Sequence, residues 1–282
     1  MSLSVGNLKP KTPNGNGPAN HFIYPQILQM SDTVFVAFAS QKGGSGKSTL
    51  TALAASYLYY LDGVDVLVMD CDSRQHTQKD YRDNDKRVTK ENPAINKTFT
   101  KFYTKFNKRP YKIIYSTPGA AVDDAEEYVR QNPEIKVVLF DITGTINDLE
   151  IVNLISSMHY LMVPISPDTG DLKSSLRFAV NVKERMIDSG DTSIKDMKLV
   201  WNRVPGRQKT KICELIDNYL SEFQLSSLKT VMTYATKYFK DGVIAGASPT
   251  IFRSTLLPPD RRLLKDSNLP ELIKEIREVI KI

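Results

Sequence analysis

Two lysines, three glycines and a run of hydroxyls stand together in Lys42-Gly43-Gly44-Ser45-Gly46-Lys47-Ser48-Thr49, a set of residue types suited to gripping a chain of phosphates. A backbone turn that cradles phosphate needs several N–H groups aimed inward. Glycines must therefore stand where a Cβ would block the approach, and a helix N-terminus must face the anion. Gly43, Gly44 and Gly46 meet the first requirement. Lys47 then reaches the β- and γ-phosphates as a point charge, Ser48 offers its hydroxyl to Mg²⁺, and Thr49 falls near the α-phosphate. Two acids follow buried-type runs downstream. Asp70 closes Val68-Met69, and Asp141 closes the four apolar residues Val137-Val138-Leu139-Phe140. Alone, each would be a solvated strand end. Behind a phosphate loop they become, with Ser48, the candidate metal-side groups.

The elements that must position these residues are legible as apolar runs. Thr33 to Ala39 reads as a strand that delivers the chain into the loop, and Ser48 to Leu61 reads as the helix that follows. Further strand-length runs lie at Val64 to Met69, Tyr111 to Tyr115, Val137 to Phe140, Tyr160 to Ile165 and Met197 to Trp201. Most are continuous and not alternating, as strands buried on both faces of a parallel sheet require. Segments of helical period intervene at Asp148 to Ser157, Leu172 to Ile187 and Lys211 to Phe223. Strand alternating with helix predicts an α/β fold, a doubly wound and mostly parallel sheet with helices on both faces. Residues 1–30, rich in Pro, Gly and Asn without apolar period, read as a flexible arm, and residues 31–282 as a single domain.

Composition narrows the class. With 41% hydrophobic and 25% charged residues, the chain has apolar material for one large core. No apolar run is long enough to cross a bilayer and no secretory signal pattern opens the chain, so a cytoplasmic protein is expected. Cys71 and Cys213 have no paired spacing that would suggest a disulfide framework or a zinc or iron–sulfur site. The net charge of +6 favours anionic partners. Lys97, Lys101, Lys105, Lys108, Arg109 and Lys112 form an acid-free stretch that equals that whole excess. On a helical wheel Phe99, Phe102, Tyr103 and Phe106 take one face and the lysines the other. That leaves two readings open, a solvated face or a phosphate-contacting stripe. Arg253, Arg261, Arg262 and Lys265 form a second basic region.

The string Lys-Gly-Gly-x-Gly-Lys-Ser, with Lys42 in front and Gln41 where generic phosphate loops carry glycine, resembles the deviant Walker A motif of the ParA/MinD superfamily. That group shares its fold with the nitrogenase iron protein, and the resemblance spans about Thr33 to Ile282. It implies an ATPase with ATP and Mg²⁺ in the site. Lys42 would match the lysine that reaches across an ATP-sandwich homodimer to the other subunit's phosphates. Asp72, in Asp70-Cys71-Asp72-Ser73-Arg74-Gln75, matches the family position that activates the attacking water, although Ser73 and Arg74 replace the usual proline and shift Gln75 by one place. Ile142 to Asn147, with Thr143 and Gly144, matches a second, γ-phosphate-sensing switch. Asn202, after Lys198-Leu199-Val200-Trp201, resembles the asparagine that recognises adenine, or is a strand-end turn residue, and Leu257-Pro258-Pro259-Asp260 is a candidate cover for the base. Residues 38–61, 140–145 and 251–256 look most like the ParA-type proteins of Bacteroidetes conjugative transposons, sometimes called TraA. The resemblance thus implies non-specific DNA binding by the ATP dimer, slow hydrolysis stimulated by a ParB-like or transfer-machinery adaptor, and a role in partition or conjugative transfer of a mobile element. Two alternatives remain beside it. One is a MinD-like membrane-associated ATPase, whose terminal helix here would use Leu272, Ile273, Ile276, Val279 and Ile280. The other is a small-molecule phosphate-loop ligase or kinase, such as a dethiobiotin-synthetase-like enzyme.

Overall fold

The computed structural model describes residues 32–72, 76–142, 148–206, 216, 219–239, 251–265 and 267–282. The proposed arm, Ser73 to Gln75, Thr143 and Gly144, Cys213 and most of the helix expected at 211–223 therefore lie outside the described residues. Six strands, β1 (Val34–Phe38), β2 (Val66–Asp70), β3 (Lys112–Tyr115), β4 (Val137–Asp141), β5 (Tyr160–Ile165) and β6 (Asp196–Trp201), make one sheet in the order β3-β2-β4-β1-β5-β6. Every pairing is parallel.

The continuous apolar runs follow from that arrangement, because alternate residues feed two separate cores. β1 sends Phe35 and Ala37 to one face and Val36 and Phe38 to the other, and β4 divides Val138 and Phe140 from Val137 and Leu139 in the same way. The first face is covered by α4 (Ala121–Gln131), α5 (Leu149–Ser156) and α6 (Thr169–Val182), the last running on as a π-helical turn over Lys183–Ile187. α1 (Lys47–Tyr60) and the terminal α8 (Leu269–Ile280) cover the second face. Between α6 and α8 the short α7 (Arg261–Lys265) carries exposed Arg261 and Lys265.

The apolar face of the terminal helix is packed inside the protein. Leu272, Ile273, Ile276 and Ile280 are buried in the core with α1, so the apolar face that a membrane anchor would need is already covered. Among the described residues no helix is long and apolar enough to cross a membrane.

Two further helices, α2 (Thr77–Glu91) and α3 (Pro93–Phe106), form a hairpin turned at Asn92. Asn92 accepts from the backbone N–H of Ala94 and Ile95, and Pro93 stands at the first helical position where its missing N–H costs nothing. The aromatic face of α3 packs inward as expected, with Phe99, Phe102, Tyr103 and Phe106 partly buried against the cores. Lys97, Lys101 and Lys105 are exposed on the other side. Lys108, just beyond the helix, is engaged elsewhere, 2.8 Å from Asp65 and over the Tyr59 ring. α2 is pinned to the 251–257 segment: the guanidinium of Arg82 donates to Thr255 Oγ1 at 2.8 Å, and buried Asp85 accepts from Thr255 N and Oγ1.

Candidate functional site

The glycine-rich loop leaves the C-terminal end of β1 and enters α1. Gly44 and Gly46 hold φ of +76° and +95°, the left-handed region that an L side chain resists. A Cβ at Gly46 would also lie 2.4 Å from Asn202 Nδ2, whereas Gly43 and Gly44 face open space. α1 has no side-chain cap and no acid in its first turn. Its leading N–H groups and positive dipole end are thus left for an anion from outside the helix. Within the loop the Ser40 and Ser45 hydroxyls lie 2.7 Å apart, and Ser40 Oγ also donates to Lys42 O. Lys47 is buried, which lowers its pKa, while the nearby carboxylates of Asp141 and Asp72 oppose that shift. Its ammonium donates to the loop carbonyl of Lys42 at 3.0 Å.

Beneath the loop, the ends of β2 and β4 bring Asp70 and Asp141 into register on adjacent strands, both fully buried. Ser48 Oγ donates to Asp141 Oδ1 at 3.0 Å, and Gln78 Nε2 donates to Asp141 Oδ2 at 2.8 Å. Burial pushes the Asp141 carboxyl up to about 6, with the Asp70 charge adding to the shift. A divalent cation would reverse both causes. Asp70 is placed differently from Asp141. Its Oδ2 accepts from the backbone N–H of Gln78 at 3.0 Å and of Lys79 at 3.2 Å, so it caps α2, and burial raises its pKa. The reason is local, since His76 gives α2 no side-chain cap of its own. Of the three groups expected on the metal side, Ser48 and Asp141 touch each other and Asp70 serves the neighbouring helix.

The remaining expected residues lie around this centre. Asp72 is half-buried and close enough for its charge to bear on Lys47. Lys42 is half-exposed and forms an ion pair with Asp171, in the first turn of α6 of its own chain. Asn202 donates from Nδ2 to Ser45 O at 2.9 Å and accepts from Arg203 N, which ties the end of β6 to the loop. A cleft opens beside it, lined by Gly46, Thr49, Leu50, Met232, Thr233 and Tyr238. The segment Leu257 to Asp260 is not at this cleft. Leu257 packs with Val88 and Ile95 of the α2–α3 hairpin and its carbonyl accepts from Ser56, so the segment expected to cover the base stands away from the cleft, which residues 232–235 line instead. Leu257 goes where the hairpin supplies an apolar partner.

Gln78 has no counterpart among the residues expected to form the site. It carries no motif, and its partners Ser48 and Asp141 lie 30 and 63 residues away, so only the folded chain reveals it.

The set fits magnesium and a nucleoside triphosphate. An open glycine turn meets an uncapped helix start, a buried ammonium donates to a backbone oxygen of the loop, and the metal-side donors are hard oxygens. Among the described residues no cluster of three or more His, Cys, Asp or Glu could hold a metal ion unaided. Magnesium takes one or two carboxylates together with water and substrate phosphates, and Asp141 with Ser48 supplies donors of that kind.

Comparison with known proteins agrees with this geometry. The family model described as the CobQ/CobB/MinD/ParA nucleotide binding domain matches residues 36–240. No curated protein matches the chain in sequence. Among solved structures, the MinC:MinD cell division protein complex of Aquifex aeolicus is similar at 13% identity and a TM-score of 0.55, covering 89% of this chain and 96% of that one. A ParA family ATPase from Chlorobium tepidum TLS is similar at 16% identity and a TM-score of 0.54, covering 86% and 97%. The pnob8 ParA is similar at 14% identity and a TM-score of 0.56, covering 88% and 99%. At these identities the structures speak for the fold alone.

Proposed function

The chain belongs to the CobQ/CobB/MinD/ParA nucleotide-binding domain family, and from that premise we propose that it is an ATPase that binds Mg-ATP, pairs with a second copy in that state, and is reset by slow hydrolysis. The observation that carries this reading is the contact of Ser48 with Asp141 at the foot of a glycine turn that also buries Lys47. Loop N–H groups and Lys47 bind the phosphates, Asn202 and the adjacent cleft take the base, and Asp72 accepts a proton from the attacking water. Ser48 and Asp141 would hold magnesium, which would supply positive charge against the phosphates. Lys42 is retained by Asp171 in the single chain. It would have to leave that exposed pair, which is of little net worth, to serve the phosphates of a second copy.

The finer role proposed is that of a ParA-type protein of the kind carried on conjugative transposons. Its ATP-bound pair would hold DNA without sequence preference, and an adaptor protein would stimulate turnover during partition or transfer of a mobile element. Exposed Lys97, Lys101 and Lys105 on one face of α3 support the DNA contact. The second basic region supports it less, because Arg262 is paired with Asp260 and the Arg253 guanidinium lies over the Tyr81 ring.

Calorimetry with Mg-ATP tests the core of this reading. The intact chain should bind, and Lys47→Ala should lose most of the affinity. The Asp72→Ala chain should still bind ATP and elute as a dimer in size-exclusion chromatography. Absence of Mg-ATP binding by the intact chain would overturn the proposal, and normal turnover in Asp72→Ala would remove Asp72 from it.

A further inference from the structure

Gln78, the second residue of α2, lies where the start of α1 and the ends of β2 and β4 meet. It is fully buried. Its Nε2 donates to Ser48 O at 2.9 Å and to Asp141 Oδ2 at 2.8 Å, and its backbone N–H donates to Asp70 Oδ2. Both partners of the amide nitrogen are pure acceptors, so the carboxamide cannot be turned over without setting oxygen against oxygen. Oε1 is thereby left buried with no hydrogen-bond partner among the described residues. A buried carbonyl without a donor is costly, and a side chain kept only to fill space would not need one.

Among the described residues no donor reaches Oε1, and the groups expected to bind at this site differ in what they can offer it. Nε2 and Oε1 share one carboxamide carbon, so Oε1 stands in the neighbourhood of the Asp141 carboxylate and the Ser48 carbonyl that Nε2 holds. Phosphate oxygens are acceptors and cannot satisfy it, whereas magnesium retains several waters, each with protons to donate. Charge agrees with a neutral residue here. Asp70 and Asp141 already put two buried carboxyls beneath the loop, enough to balance one divalent cation, and a third would be repelled.

Resting on the ATP and magnesium reading above, we propose that Gln78 is a positioning residue for the metal. Its amide N–H₂ holds Asp141 by Oδ2 and keeps that carboxylate aimed, while Oε1 accepts a hydrogen bond from a water on the magnesium. The same residue ties the start of α2 to the phosphate loop, because Ser48 O is its other partner.

The test measures binding of a non-hydrolysable ATP analogue to the full chain by calorimetry, in EDTA and across a magnesium titration, for wild type, Gln78→Ala and Gln78→Glu. Both variants are expected to raise the magnesium concentration at half-saturation roughly 10–100-fold, the usual cost of losing a partner that orients a metal ligand, and to lose less affinity than that in EDTA. Unchanged magnesium half-saturation would overturn the proposal, as would an equal loss with and without metal, which marks a packing role. Gln78→Glu preserves the volume and is decisive if Gln78→Ala does not fold; if neither folds, the amide is structural and the proposal falls. A wild-type chain that binds no nucleotide would instead sink the ATPase reading, so the two failures are distinguishable.

Discussion

Gly46 is where a single methyl group has the most to disturb. It joins a left-handed backbone to a contact in which a Cβ would lie 2.4 Å from Asn202 Nδ2. Gly46→Ala therefore meets two separate penalties. The left-handed conformation costs about 1–2 kcal/mol for a residue with a Cβ, and the amide of Asn202 must leave Ser45 O to make room. The thermal midpoint should fall by several degrees and calorimetric ATP affinity by tenfold or more. Adding Asn202→Ala should recover part of the midpoint, because the collision disappears, but not the affinity, because the altered loop backbone remains. Wild-type affinity in Gly46→Ala would mean that this turn does not hold the nucleotide. Much at this scale was legible in advance. Lys47, Ser48 and Asp141 occupy one local pattern each, and the fold brings them together. Gln78 and the capping role of Asp70 were not legible, since both depend on how the start of α2 folds back onto the end of β2.

At the scale of elements, the strands were readable because most are apolar on both faces, and their observed bounds differ from the expected runs by at most two residues. The helices were less so. α2 buries only Gln78, Asp85 and Val88 among its fifteen residues, so it has no apolar stripe to detect. α4 has one, Ala121, Ala125 and Val129 at every fourth position, but its small alanines give a faint signal. The joint between β1 and the turn into β5 carries a pH prediction. Phe35 N donates to His159 Nδ1 at 3.0 Å, which requires that nitrogen to be unprotonated, and burial lowers the imidazole pKa to about 4 from an ordinary 6.5. A base held below its unfolded value favours folding in its neutral form. That contribution is complete above pH 6.5 and is lost as pH falls toward 4, with a slope of at most about 1.4 kcal/mol per pH unit. Urea unfolding between pH 7 and 4.5 should show the decline, and His159→Asn should flatten it. An equal slope in that variant would assign the decline to other groups.

For the molecule as a whole, net charge and its placement set the expected partner. Retention on duplex DNA should require ATP and fall steeply with salt. The triple substitution Lys97→Glu, Lys101→Glu, Lys105→Glu should flatten the salt dependence measured by fluorescence anisotropy while leaving ATP affinity unchanged. An unaltered slope would move the contact off α3. Sheet order has a further consequence, for the order of events during synthesis. β1 carries the phosphate loop and is made early, yet its ladder partners are β4 and β5, and the Thr33 hydroxyl bonds Ile135 O, 102 residues downstream. A parallel strand cannot be completed by a local hairpin, so the nascent chain must carry its loop unassembled until the middle of the sequence has emerged. Nucleotide cannot template the first half of the protein; it can reward only a chain whose central ladder is already closed.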